Sequence, residues 1–265
     1  PSLLLEPAST NLIPYSEDFS QGSWNKAGLT VSSNQIISPD GSLNADEINI
    51  TAANAHYLFD NISVNASTNY VLTFYAKKGT ATDVSYSIYD NSNGADIIAS
   101  TSYYTQISNT NWNRITVEFT TPSGCTSVRP YPLRDGSSTG TVYIWGAQLE
   151  LSYATSYIPT LSGASQTRAA ETCNDAGTAS TFSDSEGVLY ADFYAEANNT
   201  EKWITLSDGT STNRVIVYIA AANALRIYVQ NSSGAQADFA SSITLGQYNK
   251  VAFSYKQNDF KLFLN

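Results

Sequence analysis

Short runs in which apolar and polar residues alternate recur along the whole chain, and they restrict its fold more than any other feature. In NYVLTFYAK (69–77), Leu72 and Phe74 alternate with Thr73 and Tyr75. The same period of two residues continues in VSYSIYD (84–90), NRITVEFT (113–120) and TVYIW (141–145). Polar turns such as NSNGAD and DGSS separate these runs, and helical periodicity is hard to find. This pattern predicts an all-β protein built as an antiparallel sandwich or barrel.

The alternation restarts after residue 171 with GVLYADFYAE (187–196), and LSDGTST and QNSSGAQ have the residues of hairpin turns. We therefore predict two tandem antiparallel β-sandwiches. The region from 178 to 265 is short for a complete sandwich, and the chain stops inside the alternation KLFLN. The chain also starts at Pro1 and not at Met, so we expect a piece of a longer protein whose second domain is truncated.

The composition narrows the classes of ligand. The formal net charge is −10, and charged residues make up only 14% of the chain, against about 25% in an average domain. Such a chain lacks the basic surface that binds phosphates, which argues against nucleic acid and against an anionic membrane. No apolar run reaches the length of about 18 residues that a membrane span needs. A neutral ligand rich in hydroxyl groups remains compatible.

Catalytic groups are scarce. His56 is the only histidine, no G-x-S-x-G motif is present, and Cys125 and Cys173 are the only cysteines. We interpret His56 as structural, favour two unpaired thiols over a single disulfide, and predict no zinc site. The 23 acidic residues are numerous enough to include a pair of glycosidase carboxylates, so their number does not exclude such a pair. Most of them lie in turns, however, so we predict no catalytic residues and no enzymatic activity.

Exposed aromatic residues could instead form a platform for a sugar ring. If Leu72 and Phe74 face the core, Tyr75 faces outwards, and the alternation gives Tyr89 and Tyr143 the same orientation. Trp145 shares parity with Tyr143, although a bulge at Gly146 could turn it inwards. The candidate binding residues are therefore Tyr75, Tyr89, Tyr143, Trp145, Tyr103 and Tyr104, the last two in a predicted loop. The alternative is ordinary cross-strand packing, and we interpret Trp24, Trp112 and Trp203 as core residues at the sandwich ends.

Residues 146–171, GAQLELSYATSYIPTLSGASQTRAAE, combine a closing strand with a segment typical of a linker. Tyr157, Ile158 and Pro159 can lay apolar surface back onto the first domain, since Pro159 favours an extended residue before it. Arg168 and Glu171 are placed to pair where the second domain begins. We predict a structural connection between two sandwiches that fixes their relative orientation.

Several motifs together resemble a known module. NLIPYSEDFSQGSWNK (11–26), SPDGSLNADEI (38–48), the pair Trp112 and Arg114, and IWGAQLE…ATSYIPT…TRAAE resemble a β-sandwich of bacteriophage tail-fibre, tailspike and head-fibre proteins. The same module occurs in some secreted polysaccharide-binding proteins and is similar to jelly-roll carbohydrate-binding domains. The later runs, from EGVLYADFYAE to KLFLN, resemble the first half of a concanavalin A-like (laminin-G-like) domain. These resemblances imply an upstream segment (1–10), a jelly-roll domain (11–160), a linker (161–177) and a partial concanavalin A-like domain (178–265).

The resemblance implies a non-catalytic fibre or adhesin segment on the virion, homo-oligomeric and in contact with other virion proteins, that binds host surface glycans. The alternatives are a carbohydrate-binding region of a secreted bacterial polysaccharide-degrading or surface protein and a purely structural module of a fibre or capsid. Related jelly-roll modules often hold a structural calcium between an acidic residue just after the first-strand Phe and another in the last strand. Here Ser20 follows Phe19 and the last strand contains Ile144, Trp145 and Gly146, so the calcium pattern is not matched. We predict no cofactor, with a structural calcium as the open alternative.

Overall fold

The computed structural model describes residues 6–173, 177–178, 180–183, 185–195, 202–219 and 223–265, with no side chain for Lys202. The start of the upstream segment, residues 1–5, and Glu196 at the end of the run 187–196 lie outside this part. The chain divides into two compact units, Pro1–Cys173 and Asn174–Asn265. All strand pairing is antiparallel, and the helical residues in the described ranges form one 3₁₀ turn at Tyr104–Gln106. None of the described helical structure is long and apolar enough to cross a membrane. The all-β prediction is confirmed.

In the first unit, residues 6–173 form fourteen strands. They are β1 (Ser9–Asn11), β2 (Asn25–Ala27), β3 (Leu29–Ile37), β4 (Leu43–Ile50), β5 (Tyr57–Phe59), β6 (Ile62–Ser63), β7 (Asn69–Lys78), β8 (Ser85–Asp90), β9 (Ala95–Ser102), β10 (Asn113–Thr120), β11 (Ser127–Tyr131), β12 (Leu133–Arg134), β13 (Gly140–Leu151) and β14 (Gln166–Arg168). One sheet has five strands in the order β10-β7-β13-β4-β3. A second layer consists of β6-β11-β8-β9 and the short sheet β12-β5-β2, while β1 pairs with β14.

Both layers of the first unit share one hydrophobic core. Leu72 and Phe74 of β7 are fully buried in it, as their alternation predicts, and Leu58 and Ile88 meet them from the second layer. Trp24 closes the core beside Phe19, with 4.8 Å between the ring centroids, and its indole Nε1 donates to the Tyr15 carbonyl at 3.1 Å. The prediction that Trp24 is a core residue is confirmed.

The outer face of the five-stranded sheet is covered by its own chain. Residues 152–160 lie over β7 and β13, so that Thr73, Gln148 and Glu150 on the outer side are buried. Glu150 accepts hydrogen bonds from the Thr155 Oγ1 at 2.5 Å and the Thr155 amide at 3.0 Å, and Gln148 accepts one from the Ile158 amide at 2.6 Å. We call residues 152–160 the covering segment.

Part of the predicted linker is strand. Gln166–Arg168 pair with Ser9–Asn11, so residues 161–173 continue the first unit. Arg168 forms its ion pair with Glu6 at 2.7 Å, and the Glu6 amide donates to the Glu171 carboxylate at 3.0 Å. The expected pair between Arg168 and Glu171 is therefore wrong, because β1 brings the acidic Glu6 next to the guanidinium.

The described residues of the second unit form seven strands. They are β15 (Glu186–Tyr194), β16 (Lys202–Ser207), β17 (Arg214–Ile219), β18 (Ala224–Asn231), β19 (Gly234–Ser242), β20 (Tyr248–Lys256) and β21 (Asp259–Leu264). They form a three-stranded sheet, β15-β20-β21, and a four-stranded sheet, β16-β17-β18-β19. Both predicted turns connect neighbouring strands, since β16 pairs with β17 and β18 with β19. The two sheets share a core that includes Val217, Ile227, Val251 and Phe253.

Candidate functional site

The outer side of the second layer in the first unit carries a group of aromatic and arginine side chains. Strand register explains the grouping, because Arg129 of β11 pairs with Tyr89 of β8, and Tyr131 pairs with Ser87. Residues that alternate with them, such as Ile88 and Val128, face the core. Six residues make up this surface, which we call the aromatic–guanidinium face: Tyr57, Phe59, Tyr89, Arg129, Tyr131 and Arg134.

The rings of this face contact one another at the edge of β5. The centroids of Phe59 and Tyr131 are 4.8 Å apart, and those of Tyr57 and Phe59 are 5.4 Å apart. Phe59 and Tyr131 are buried, whereas Tyr57 is 38% exposed and Tyr89 is half-buried. The exposed Tyr57 ring therefore packs on two buried rings, whereas the Tyr89 ring contacts the two arginines.

Two guanidinium groups lie over these rings. The Arg129 Cζ is 4.8 Å from the Phe59 centroid, and the Arg134 Cζ is 5.0 Å from the Tyr131 centroid. Such cation–π contacts hold an arginine flat while its N–H groups stay available at the edge. Burial raises the pKa of Tyr131 even though both guanidinium groups act against that shift.

The two arginines differ in how their charge is balanced. Arg134 donates to the Asp96 carboxylate at 2.5 Å and also approaches Asp135 at 3.4 Å. Arg129 donates its Nε–H to the Asn61 amide oxygen at 3.0 Å, and it forms no ion pair within the described residues. Arg129 therefore has N–H donors and positive charge to offer to a ligand.

Tyr89 is the one predicted residue that belongs to this face. Tyr75 is half-buried on the outer side of the five-stranded sheet, with its ring centroid 5.5 Å from that of Trp145. Tyr143 also lies on that side, where burial and a hydrogen bond with Glu47 raise its pKa. The structure does not bring Tyr75 and Tyr143 together with Tyr89, because β7 and β13 belong to the other layer.

Two of the predicted platform residues are buried. Trp145 is 2% exposed, because Tyr157 of the covering segment packs on it with 4.4 Å between centroids. A register shift follows Trp145, as the glycine suggested, but the indole stays on the outer side and is covered there. Tyr103 is fully buried, and its hydroxyl donates to the Pro132 carbonyl at 3.1 Å. Neither residue presents a ring face to a ligand, which corrects both assignments.

Tyr104 begins the 3₁₀ turn and is half-buried, with the Lys78 Nζ 3.8 Å from its ring centroid. Of the predicted core tryptophans, Trp112 is half-buried and donates to the Ile37 carbonyl at 2.9 Å. Trp203 is 54% exposed on β16, so the prediction that it is a core residue is wrong. Its position on the outer side of an edge strand explains the exposure.

Five of the six residues in the face were not predicted from the sequence: Tyr57, Phe59, Arg129, Tyr131 and Arg134. They lie on strands of two to five residues, too short for a clear alternation. The signal was present in SVRPYPLR (127–134), where Arg129 and Tyr131 are two residues apart and therefore share a side.

His56 and the cysteines have structural surroundings. His56 is buried, with Nδ1 2.8 Å from the Ala52 carbonyl oxygen, and Nε2 accepts from the Gly136 amide at 3.4 Å. This arrangement uses both ring nitrogens and agrees with a structural histidine. Cys125 is buried, which raises its pKa to about 11, and Cys173 is exposed; both are free thiols.

The acidic residues near Phe19 do not fit a calcium site. Asp46 accepts hydrogen bonds from the Phe19 amide at 2.9 Å and from the Asn34 amide at 3.0 Å. Asp18 binds the side chain and amide of Ser20, and Glu17 binds Asn44 at 2.8 Å. These carboxylates are occupied by their own chain, and the described residues contain no group of three or more acidic, histidine or cysteine side chains able to hold a metal.

Comparisons with known proteins give distant structural similarities. No protein-family model matches the chain, and no curated protein matches it. The enzymatically active domain of tailspike protein 4 of bacteriophage CBA120 is 18% identical, with a TM-score of 0.41, over 53% of this chain and 21% of that chain. The tandem CBM22-1–CBM22-2 domain of Paenibacillus barcinonensis Xyn10C is 12% identical, with a TM-score of 0.41, over 94% of this chain and 85% of that chain. The C-terminal family 22 carbohydrate-binding module of Clostridium thermocellum Xyn10B is 14% identical, with a TM-score of 0.41, over 55% and 95%. At these identities and TM-scores the similarities do not assign a function.

Proposed function

We propose that the first unit binds a glycan on the aromatic–guanidinium face without catalysing a reaction. The observation that carries this proposal is the combination of the exposed Tyr57 ring and the half-buried Tyr89 ring with the guanidinium groups of Arg129 and Arg134 on one side of a layer. A tyrosine ring stacks on the apolar face of a pyranose, and arginine N–H groups donate to its hydroxyl oxygens.

The guanidinium groups of this face are held in place by contacts within the protein before a ligand binds. Phe59 and Tyr131 hold the guanidinium groups from below, and Asn61 and Asp96 fix their edges by hydrogen bonds. A preorganised surface loses less conformational entropy on binding, which favours recognition of a flexible polysaccharide.

We further propose that the chain acts as a segment of a bacteriophage fibre or adhesin that attaches to host surface glycans. The motifs in residues 11–26, 38–48 and 146–171 support this reading, because as a set they resemble phage fibre modules. In that setting weak contacts at each copy add up through repetition on a homo-oligomeric fibre with other virion proteins, at the surface of the virion. The resemblance of residues 178–265 to a concanavalin A-like domain supports the same assignment for the second unit.

A glycan array probed with the purified chain tests the binding proposal. We expect retention on at least one bacterial surface polysaccharide, and roughly tenfold weaker binding by Tyr89→Ala and by Arg129→Ala. Tyr143→Ala is the matched control, since it removes a tyrosine from the other layer and should bind as the parent chain does. Equal losses in Tyr89→Ala and Tyr143→Ala would refute the assignment to this face, and an array without any binding would favour a purely structural module.

The setting on a virion needs a separate test. Antibodies against the chain should label an appendage or the capsid surface of intact phage particles in electron micrographs. Labelling of a secreted bacterial polysaccharide-degrading or surface protein instead would favour the alternative carbohydrate-binding region.

A further inference from the structure

The four-stranded sheet of the second unit has an outer side that the function proposed for the first unit leaves unused. Register places Trp203, Tyr218 and Arg226 in one row across β16, β17 and β18, and Ile216 pairs with Tyr228 in the next row. These side chains and Arg214 line a depression of about 340 Å³. We call it the Trp203 surface.

Trp203 is the most exposed aromatic ring of this surface, at 54%. Its centroid is 6.3 Å from that of Tyr218, at an interplanar angle of 51°. The core residue beneath it, Val217, is 2% exposed, and the sheet therefore holds the platform from below. An exposed tryptophan on an ordered strand is a stacking platform of low entropic cost.

The two arginines of the surface differ in charge balance, as Arg129 and Arg134 of the aromatic–guanidinium face do. Arg226 donates its Nε–H to the Asp238 carboxylate at 2.8 Å, and the two groups form a bidentate pair. Arg214 forms no ion pair with any described residue, and its Nε is buried with no hydrogen-bond partner there. The positive charge of Arg214 is therefore not balanced within the described residues, and an acidic group of a ligand would balance it.

The unbalanced positive charge of Arg214 favours an anionic ligand. A guanidinium fits a carboxylate through two parallel hydrogen bonds, so an acidic group of the ligand matches Arg214 better than a hydroxyl does. Arg214 and Tyr218 are four residues apart on β17, so at about 3.3 Å per residue their Cα atoms are about 13 Å apart along the strand. A single sugar ring is shorter than this spacing, so a chain of sugars fits the surface better.

We propose that the Trp203 surface is a second binding site, which takes a polysaccharide containing carboxylated sugars. Trp203 stacks on one sugar ring, and Arg214 binds the carboxylate of a sugar further along the chain. Both contacts are reversible, and no covalent step is involved.

Affinity electrophoresis of the full chain tests this site with four probes: polygalacturonate, alginate, hyaluronate and polysialate. We expect at least one of them to retard the chain, with roughly tenfold weaker affinity for Trp203→Ala and for Arg214→Gln. Tyr248→Ala is the matched control, because Tyr248 is 74% exposed on the other sheet of the same unit. Each variant should keep the melting temperature of the parent chain, because Trp203 and Tyr248 are exposed and Arg214 makes no ion pair.

The acid requirement has its own control. Methyl esterification of the retarding polymer removes its charge and keeps its backbone, and should abolish the retardation. Retardation by none of the four probes, unchanged affinity of Trp203→Ala, or equal losses in Tyr248→Ala would overturn the site. Equal binding of the esterified polymer would overturn the role of Arg214. The variant Tyr89→Ala separates this site from the first unit, since it should leave the retardation unchanged.

Discussion

The two layers of the first unit have similar alternating strands but opposite outer surfaces. Above the five-stranded sheet, the covering segment buries Gln148 and Glu150 and seals Trp145 beneath Tyr157. Above the second layer, Tyr57 and Tyr89 stay accessible. Side chains that alternate outwards therefore form a structural surface in one layer and a candidate binding surface in the other. The covering segment causes this difference, because it lies over only one of the two layers.

The largest loss of stability should follow from removal of the Asn11 side chain, which forms hydrogen bonds on the covered side of the five-stranded sheet. Buried Asn11 donates to the carbonyls of Ala147 and Ile158 at 3.1 and 3.0 Å and accepts from the amides of Ile13 and Leu149 at 3.1 Å each. Asn11→Ala removes a buried hydrogen-bond partner from four backbone groups, so we expect a loss of about 3–5 kcal/mol in unfolding free energy. Denaturation with urea measures it.

The control lies on the open surface. Asn61 is exposed and accepts one hydrogen bond, from Arg129, so Asn61→Ala should cost less than about 1 kcal/mol. Similar losses in the two variants would mean that the covering segment does not distinguish the layers.

Stability at the rim of the five-stranded sheet should depend on pH through Asp46. Burial raises the pKa of this carboxyl from 3.8 to about 6. The folded state therefore binds the proton more tightly than the unfolded state does. The contribution of Asp46 is complete below pH 3.8 and is lost as the pH rises through about 6. The slope of unfolding free energy against pH in this window should be shallower in Asp46→Asn.

Asp40 provides the matched variant for this titration. A hydrogen bond from Ser38 holds the pKa of Asp40 below its usual value, so its own contribution changes at lower pH. Asp40→Asn should keep the parent slope between pH 4 and 6. A parent-like slope in Asp46→Asn would show that other carboxyl groups cause the dependence.

Gly146 of β13 lies against Tyr157 of the covering segment, so an added side chain at this position should destabilise the first unit. Its φ is +65°, and an added Cβ would lie 3.2 Å from the Tyr157 ring. Gly146→Ala should cost about 1–2 kcal/mol in unfolding free energy. Gly22 has open space around it and no positive φ, so Gly22→Ala should be close to neutral in the same denaturation series. A neutral Gly146→Ala would mean that Tyr157 moves aside without cost.

The sequence predicted the strands well because a period of two residues is a local property of the chain. Leu72 and Phe74 were placed in the core correctly, and Tyr89 was placed on an outer side. Alternation states which side of a strand a residue occupies, but it does not state what covers that side. Trp145 was misjudged for this reason, since it lies under the covering segment. Tyr103 was assigned to a loop, but its side chain lies inside the core.

The candidate site was less predictable than the fold because its residues come from different short strands. Phe59 and Tyr131 are more than seventy residues apart in sequence, and only the pairing of the second layer brings their rings to 4.8 Å. The charge balance of Arg129 and Arg214 also depends on long-range neighbours. Residue type alone could not separate them from Arg134 and Arg226, whose carboxylate partners are on other strands.

The smallest expected effect comes from removing one tyrosine hydroxyl group from each of the two surfaces. The Tyr157 hydroxyl lies 2.5 Å from the Ser16 Oγ and donates to the Glu17 carboxylate at 3.0 Å. The Tyr89 hydroxyl has no hydrogen-bond partner within the described residues, although its ring contacts both arginines. Tyr157→Phe should therefore cost about 1 kcal/mol in unfolding free energy, and Tyr89→Phe should be neutral. Both are measured by denaturation with urea. A larger loss of unfolding free energy in Tyr89→Phe than in Tyr157→Phe would contradict the comparison. It would mean that the Tyr89 hydroxyl is buried and bonded, and that the second layer is not the open surface.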